Sequence, residues 1–523
     1  MSQKQLLIIH TKKSLEIDQK DISYINLGSA ISNVPGAKKL ILLKYRKIYY
    51  EKYKKLLIKE LTTKAKESKK KISFINELEL FNLRNDKNTN IDLILNILII
   101  GEIIKIENFS NISLVTDNFL VKSIFAQTYP FIKINYKVDN KIKDKFVLPK
   151  IIKFYVKTLF LIIFIKIFIN NRVRLKKFNK ACLSMYPIFY KNNKEKFFND
   201  KNKIKFNFLL SDETHLNLSF FKIIKVLKEI KNNETIHVES FITIKSLIKA
   251  FIKSIIYYFV SLKLNFRFRL NNLDLSSFYK NYIYTSLLNR YKLNIYEEPF
   301  IKALKKFDIK QFDMYLFEYN FGFFLNNLIK KKTNNIKIVG YQHGIFSNQL
   351  LWLDILLKDK NKFNYLPDEI KSFNINSFKD YRSKINSNKI KFNLLSKNKS
   401  NLVSEYKHSK RKQFSKDILV LPGTHDADDI YHAIKGKNLN NKNKDTFFIK
   451  FHPKKTLKIK NTKKLKIIKS IRNKKFSTVL ISATSTLVYD FMNSKKNFMV
   501  YNIDNKQDLI STKLNNKIKL YYF

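Results

Sequence analysis

Three short motifs in the last third of the chain carry side chains that can do chemistry. They are Tyr341-Gln342-His343-Gly344, Phe451-His452-Pro453 and Ser482-Ala483-Thr484-Ser485-Thr486. Each follows an apolar, strand-like run, at residues 336–339, 447–449 and 478–481. The motifs are therefore expected at the carboxyl ends of strands, where open α/β sheets bind their ligands. Two histidines and a hydroxyl cluster opening a helix suit an enzyme that handles an activated phosphate ester.

In the first motif, Gly344 lets the chain turn sharply after the strand. Histidine as a residue type titrates near neutrality, so His343 can take a proton from an attacking hydroxyl. The plainer alternative is a histidine that ties a loop to the backbone. Gln342 is a candidate to line the same cleft, and so is the apolar stretch around Trp352. Glu318 follows the strand-like run 312–317 and would share a sheet edge with His343. A carboxylate there can orient the imidazole or contact an acceptor hydroxyl; a solvated strand end is the alternative.

In the second motif, His452 is followed by Lys454 and Lys455, a set able to bind phosphate through charge-assisted hydrogen bonds. In the third, Ser482, Thr484, Ser485 and Thr486 precede a helix that begins near Leu487. One of them would be an N-cap in any case. Surplus hydroxyls beside free helix N–H groups make a phosphate cradle that needs no glycine. Upstream stands Pro422-Gly423-Thr424-His425-Asp426-Ala427-Asp428-Asp429. Thr424 and His425 are candidates to line the cleft. The acids could hold a divalent ion under a sugar diphosphate, but capping in a first helical turn explains them fully. No metal or cofactor is expected. Gly-x-Gly-x-x-Gly, Gly-x-x-x-x-Gly-Lys, His-Glu-x-x-His and Gly-x-Ser-x-Gly are missing from the sequence, so nicotinamide, P-loop, zincin and hydrolase readings lose their usual support.

The elements that must position these motifs alternate between strand-like and helix-like, the pattern of an α/β fold. Strands are expected at 6–9, 39–43, 111–115 and 206–210, and a lysine-rich helix at 49–69. Residues 91–100 read as a buried element of either type, and Thr116-Asp117-Asn118 as the cap of a helix running to Ala126. Downstream come strand 312–317, helix 321–331 and the strand that delivers His343. A polar Lys/Asn/Ser stretch over 366–413 reads as the linker between an N-terminal unit, 1–365, and a second α/β unit, 366–523. That second unit is expected to hold strands at 418–421, 446–451, 465–468, 478–481 and 498–501. Its helices are placed at 428–434, closed by Gly436, and at 487–492.

Two segments, 151–169 and 251–262, are more apolar than a surface should be, although Lys153, Lys157, Lys166 and Lys253 interrupt them. A spanning helix needs about 20 mostly apolar residues. The segments are either helices lying in a membrane interface, with lysines reaching toward headgroups, or core helices between units.

The 523 residues are 45% apolar and 14% aromatic, enough for several cores. Lys plus Arg number 101 against 42 acids, a net charge of +59 that favours anionic partners. The lysines are spread along the whole chain. Abundant Lys, Asn, Ile, Phe and Tyr beside only 8 Gly, 8 Pro and 1 Trp is also what A/T-rich codon usage produces. The sequence shows charge without a module of aromatics placed to stack on bases, so no nucleic acid partner is expected. Cys182 is the only cysteine, which excludes a disulfide framework and any multi-Cys zinc site. The apolar run at 6–9 is too short for a signal peptide, and a cytoplasmic location is the expectation.

With these motifs the chain resembles the GT-B-fold transferases of bacterial surface-carbohydrate biosynthesis, especially a lipopolysaccharide O-antigen and capsule type. Glu318, Gly340 through Gly344, Trp352-Leu353, Leu366-Pro367, Phe451-His452-Pro453 and Ser482 through Thr486 carry the likeness. The last two are also similar to motifs of bacterial sialyltransferases, capsule transferases and teichoic-acid glycerophosphotransferases. The resemblance implies two Rossmann-like domains facing across a cleft, with extra helices in the N-terminal half and the nucleotide donor held by the C-terminal domain. It implies His343 as base with Glu318 beside it, and His452, Ser482, Thr484, Ser485 and Thr486 on the donor phosphate. The implied activity is metal-independent transfer of a sugar from a nucleotide donor to a lipid-linked or glycan acceptor, at the anionic inner leaflet of the cytoplasmic membrane. Polyol-phosphate transfer from a CDP-alcohol is the alternative. The acidic motif that supplies the base in sialyltransferases has no counterpart, since Asp212-Glu213-Thr214 lacks its glycine.

Overall fold

The computed structural model describes residues 4–11, 22–27, 34, 36–71, 90–136, 147–168, 179–184, 190–191, 194–195, 203–211, 235–315, 317–333, 335–342, 351–359, 362–373, 375–395, 401–408, 417–423, 426–440, 445–451, 461–472, 474–485, 487–494, 496–502 and 520–522. The protein is a mixed α/β molecule whose described strands gather into three large sheets, each parallel throughout.

The first sheet holds β1 (Gln5–His10), β2 (Ser23–Asn26), β3 (Lys38–Lys39), β4 (Asn111–Thr116) and β5 (Lys133–Tyr136), in the order β3-β2-β1-β4-β5. Its helices are α1 (Leu42–Lys71), α2 (Asn90–Glu107) and α3 (Phe119–Thr128). Residues 94–100 of α2 are all buried, which its run of Ile and Leu requires. Asn118 caps α3, accepting from the Leu120 and Val121 N–H groups at 2.8 and 3.3 Å.

The second sheet runs β10-β9-β6-β13-β14-β15-β16. Its strands are β6 (Lys180–Leu183), β9 (Ile204–Asn207), β10 (Thr235–His237), β13 (Gln311–Met314), β14 (Lys337–Tyr341), β15 (Glu369–Ser372) and β16 (Lys391–Leu394). Short antiparallel pairs lie apart from it: β7 (Tyr190–Lys191) with β8 (Lys194–Glu195), and β11 (Arg269–Leu270) with β12 (Leu273–Asp274). The helices of this part are α4 (Val147–Phe168), α5 (Ile244–Leu262), α6 (Ser276–Asn294), α7 (Glu297–Lys306), α8 (Asn320–Lys332), α9 (Leu351–Leu356), α10 (Lys362–Tyr365) and α11 (Ile375–Ile385).

The third sheet follows α12 (Asn401–Glu405) and β17 (Lys407–His408), which pairs with β21 (Lys475–Phe476). It holds β18 (Asp417–Leu421), β19 (Thr446–Ile449), β20 (Leu465–Ile467), β22 (Thr478–Ser482), β23 (Met499–Asn502) and β24 (Leu520–Tyr522), with helices α13 (Ala427–Asn440) and α14 (Leu487–Asn493). The order is β20-β19-β18-β22-β23-β24. Counted among its own strands, that is 3-2-1-4-5-6, the doubly wound order of dinucleotide-binding folds. The other two sheets begin with the same 3-2-1-4-5 sequence of neighbours.

Three sheets stand where two units were expected. The first is easily read as part of the second, because strand-like and helix-like stretches continue through it without a break in composition. It also shares a core with later residues, among them Phe268, Tyr279 and Leu351. Asp354 on α9 reinforces the junction, pairing with Lys54 of α1 at 3.2 Å and Lys384 of α11 at 2.9 Å. Residues 366–395, expected as linker, supply β15, α11 and β16 to the second sheet, whereas the cores of the third draw only on residues from Leu402 onward. Polar side chains on an edge strand made the segment look unstructured.

Local differences have local causes. Residues 39–43 do not form one strand: β3 ends at Lys39 and helix begins at Leu42. Helix α13 continues past Gly436, which does not close it. Trp352 does not line a cleft; it is fully buried, packed against Phe323 and Tyr381 with ring centroids 5.5 and 6.4 Å apart. Within the two apolar segments, residues 151–168 and 251–262 are helical, in α4 and α5, and each helix has one face in the core; residue 169 lies outside the described residues. Among the described residues no helix is long and apolar enough to cross a membrane.

Candidate functional site

The two loops at the switch point of the third sheet come into direct contact. β18 and β22 are neighbours, with Leu421 opposite Ile481. The reversal of strand order lies between them, the place where folds of this strand order generally leave a crevice. After β18 the chain runs Pro422-Gly423 toward Asp426 and α13; after β22 it runs through Ala483, Thr484 and Ser485 toward α14.

Ser482 joins the two loops. Its hydroxyl donates to Asp426 Oδ2 at 2.5 Å and lies 2.8 Å from Thr484 Oγ1, and its oxygen accepts the Thr484 N–H at 3.0 Å. Gly423 is there because nothing larger fits: a Cβ would stand 2.2 Å from Thr484 Oγ1 and 3.0 Å from Asp426 Oδ1. Burial pushes the Asp426 carboxyl above the usual carboxylate range, against the hydrogen bonds from Ser482 and the Gly423 backbone that pull it down. Tyr501 on β23 stands beside this pair, its phenol driven well upward by burial first and the Asp426 charge second. Ser482 is buried, whereas Thr484 and Ser485 are half-buried. The chain of hydroxyls thus runs from a buried carboxylate outward to two side chains a ligand could reach. Such an arrangement can hold the hydroxyl and phosphate oxygens of a sugar or nucleotide.

The second sheet places Glu318 and Gln342 at the carboxyl ends of neighbouring strands, β13 and β14. Glu318 is fully buried rather than a solvated strand end, and it accepts a hydrogen bond from Tyr381 on α11. Gln342 is buried too, and its N–H extends the ladder to the Lys371 carbonyl at 2.9 Å. Gly340 has a packing reason, because a Cβ there would meet the Phe317 ring and Pro367 at 2.7 Å. Beneath this edge Asp313 is buried between Lys203 at 2.6 Å and Gln311 at 2.7 Å, with the Tyr341 hydroxyl donating to it at 3.3 Å. That ionic core stiffens the strand that leads to the first motif.

No family model, curated protein or solved structure matches the chain. Residues and geometry alone carry the reading of the site.

Of the expected site residues, Ser482 and Thr484 are brought together, and Ser485 follows them. Glu318 and Gln342 share a different sheet edge. His343, Thr424, His425, His452 and Thr486 lie outside the described residues. The strand preceding His452, β19, pairs with β18 on the side away from β22. Three adjacent strands of the third sheet therefore lead into Phe451-His452, Gly423 through Asp426, and Ser482 through Thr486. Among the described residues no three His, Cys, Asp or Glu side chains gather as a metal site.

Two participants escaped the sequence reading. Helix capping accounts for Asp426 locally, but its carboxylate turns to Ser482 of the neighbouring loop. For Gly423, the signal for close backbone approach is the Pro-Gly pair directly after a buried strand.

A buried carboxylate apart from this site stands at another corner of the second sheet. Glu239, just after β10, is fully buried and accepts from the Leu210 N–H at 3.0 Å and the Tyr296 hydroxyl at 2.5 Å. Burial raises its carboxyl to about 7, while burial lowers neighbouring His237 to about 4. No periodicity marks either one.

Proposed function

We propose that the chain is a metal-independent glycosyltransferase, moving a sugar from a nucleotide donor to a lipid-linked or glycan acceptor in bacterial surface-polysaccharide synthesis. The observation that carries this reading is the third sheet's switch point, where Gly423 lets the first loop close on the Ser482–Thr484 hydroxyls beside Asp426. A glycine-tightened loop at the switch point of a 3-2-1-4-5-6 sheet is where such folds hold nucleotides. The second and third sheets are then the two facing Rossmann-like units, and the first sheet is an addition to the acceptor side.

In this scheme His343 takes the proton from the acceptor hydroxyl. Glu318, braced by Tyr381, acts as a positioning group rather than on the substrate, because it is buried. His452 with Thr484, Ser485 and Thr486 neutralises charge growing on the leaving phosphate. Ser482, already bonded to Asp426, orients Thr484 instead of binding the donor itself. Asp428 and Asp429 occupy the first turn of α13 and compete with phosphate for its positive end. The donor phosphate accordingly belongs at the carboxyl ends of β19 and β22, which flank β18, and donor hydroxyls belong near Asp426.

The enzyme works on the inner face of the cytoplasmic membrane without crossing it. Transfer from a panel of nucleotide sugars to membrane lipid extract tests the reading. A labelled lipid product that requires His343 supports it, and a product formed only from CDP-glycerol or CDP-ribitol would replace it with polyol-phosphate transfer.

A further inference from the structure

Helix α5 carries a second line of apolar residues on its outside, opposite the face it packs in the core. Ile244, Ile248, Ile252 and Ile256 recur at every fourth position, with Phe259 continuing the line, and these five are 51% to 59% exposed. The buried face carries Leu247 and Tyr257 among the small residues Ser246, Ala250, Ser254 and Ser261. A helix on a soluble surface has the opposite arrangement. The inward serine is satisfied, since Ser254 donates to the Ala250 carbonyl at 2.9 Å, meets the Tyr155 hydroxyl at 2.9 Å and accepts from Asn294 at 2.8 Å. The packing of α5 on α4 and α6 is therefore built, and the isoleucine stripe is left over by design of the sequence.

The neighbouring helix repeats the pattern. On α4, Ile152, Val156, Phe160 and Ile163 are exposed, Phe160 at 67%. Tyr155 ties the two helices together through the Ala250 carbonyl at 2.9 Å and stacks edge-on to Phe251 at 5.2 Å. Neither helix contains an Asp or Glu. Lys153, Lys157 and Lys245 are exposed beside the stripes, and Lys249 and Lys253 reach Glu298 and Glu297 at the start of α7.

We propose that the outer face of α4 and α5 docks onto an anionic lipid surface. Isoleucines can enter the boundary between headgroups and acyl chains, while lysines on the same helices reach lipid phosphates. A second copy is disfavoured, because it would set lysine against lysine on chains that each carry +59. Nucleic acid is disfavoured, because aliphatic side chains neither stack on bases nor donate to phosphates. The proposal sharpens the peripheral location in the functional reading, but the geometry of two helices carries it and no donor enters its test.

The experiment is co-sedimentation of the full chain with vesicles of phosphatidylcholine plus phosphatidylglycerol, and of phosphatidylcholine alone, at low and high salt. Wild type should bind the anionic vesicles and keep a salt-resistant fraction. The triple variant Ile248→Ser/Ile252→Ser/Ile256→Ser should lose that fraction and partition at least about tenfold more weakly. Its unfolding temperature should hold, since all three side chains are exposed. Should the triple variant fold poorly, Ile252→Trp serves instead: its emission should shift to the blue when anionic vesicles are added. Equal binding by wild type and triple variant, or no shift from the tryptophan, overturns the proposal. Concentration-dependent dimers that the triple variant abolishes, without vesicle binding, assign the face to a second copy and overturn it equally. Neither outcome bears on sugar transfer to a soluble acceptor, which is assayed separately.

Discussion

The Ser482 hydroxyl donates to the Asp426 carboxylate at 2.5 Å, clasping two loops that leave adjacent strands 56 residues apart in sequence. Removing one partner strands the other. Ser482→Ala leaves a buried carboxylate short of a donor and should cost about 1–3 kcal/mol of stability. It should also weaken donor binding, because Thr484 loses the group that orients it. Asp426→Asn keeps the volume and should cost less. Thermal unfolding of the two variants side by side checks the order, and a more damaging Asn than Ala would refute the clasp.

The carboxyl edge of the second sheet makes a pH prediction. Glu239 has its carboxyl raised by burial from 4.5 to about 7. The folded state therefore holds this proton where the unfolded chain has released it. The associated stability is fully present below about pH 4.5 and is lost as pH rises toward 7, on the order of 3 kcal/mol in all. His237 acts in the opposite sense, with its ring lowered by burial from 6.5 to about 4. Its contribution is present above 6.5 and is lost as pH falls toward 4. Glu239→Gln keeps the acceptor for Leu210 and Tyr296 but cannot ionise. The unfolding temperature of Glu239→Gln relative to wild type should rise between pH 4.5 and 8; a flat difference would mean that Glu239 titrates as an ordinary carboxylate.

Gly340 predicts a packing penalty. An alanine there would press on the Phe317 ring and Pro367, and overpacking of this kind typically costs about 1–3 kcal/mol. Chemical denaturation of Gly340→Ala measures it. No loss of stability would show that the strand has room to move, and Gly340 would then need another explanation.

How much of this was legible in the sequence depends on which physical signal each part leaves. Buried parallel strands such as Ile418 through Leu421 announce themselves as apolar runs, and the caps at Asn118 and the β22–α14 turn as hydroxyl or amide residues before helices. The three strand-end motifs could therefore be placed on edges. The number of sheets could not, because strand order comes from long-range pairing: β1 pairs with β4 across the whole of α1 and α2. Segment 366–395 misled because an edge strand such as β16, with Lys391 and Asn393, has linker-like composition. Asp426 misled because a carboxylate before a helix has a sufficient local reason, and its partner is supplied by the fold. The outward stripe of α5 shows up in four-residue spacing, but which side faces solvent is decided by Tyr155 and Asn294 from other helices.

The two histidines give a kinetic prediction. His452→Ala should raise KM for the donor with a smaller effect on kcat, while His343→Ala should lower kcat by about 10²–10⁴ and leave donor binding intact. Steady-state transfer kinetics distinguish the pattern. If both variants kept wild-type rates, the assigned roles would be wrong, and if the effects were exchanged, so would be the assignment of donor and acceptor sides.

The most direct test of the central claim is a donor screen by ligand-induced thermal shift, run on wild type and Gly423→Ala. An alanine Cβ would stand 2.2 Å from Thr484 Oγ1, so the variant must open the crevice between the two loops. Wild type should be stabilised by at least one nucleotide-activated sugar, by roughly 3 kcal/mol at a ligand concentration about 100 times Kd. Gly423→Ala should lose most of that shift while its unliganded unfolding remains cooperative. No shift with any nucleotide sugar or CDP-alcohol, or the same shift in both proteins, would contradict the account.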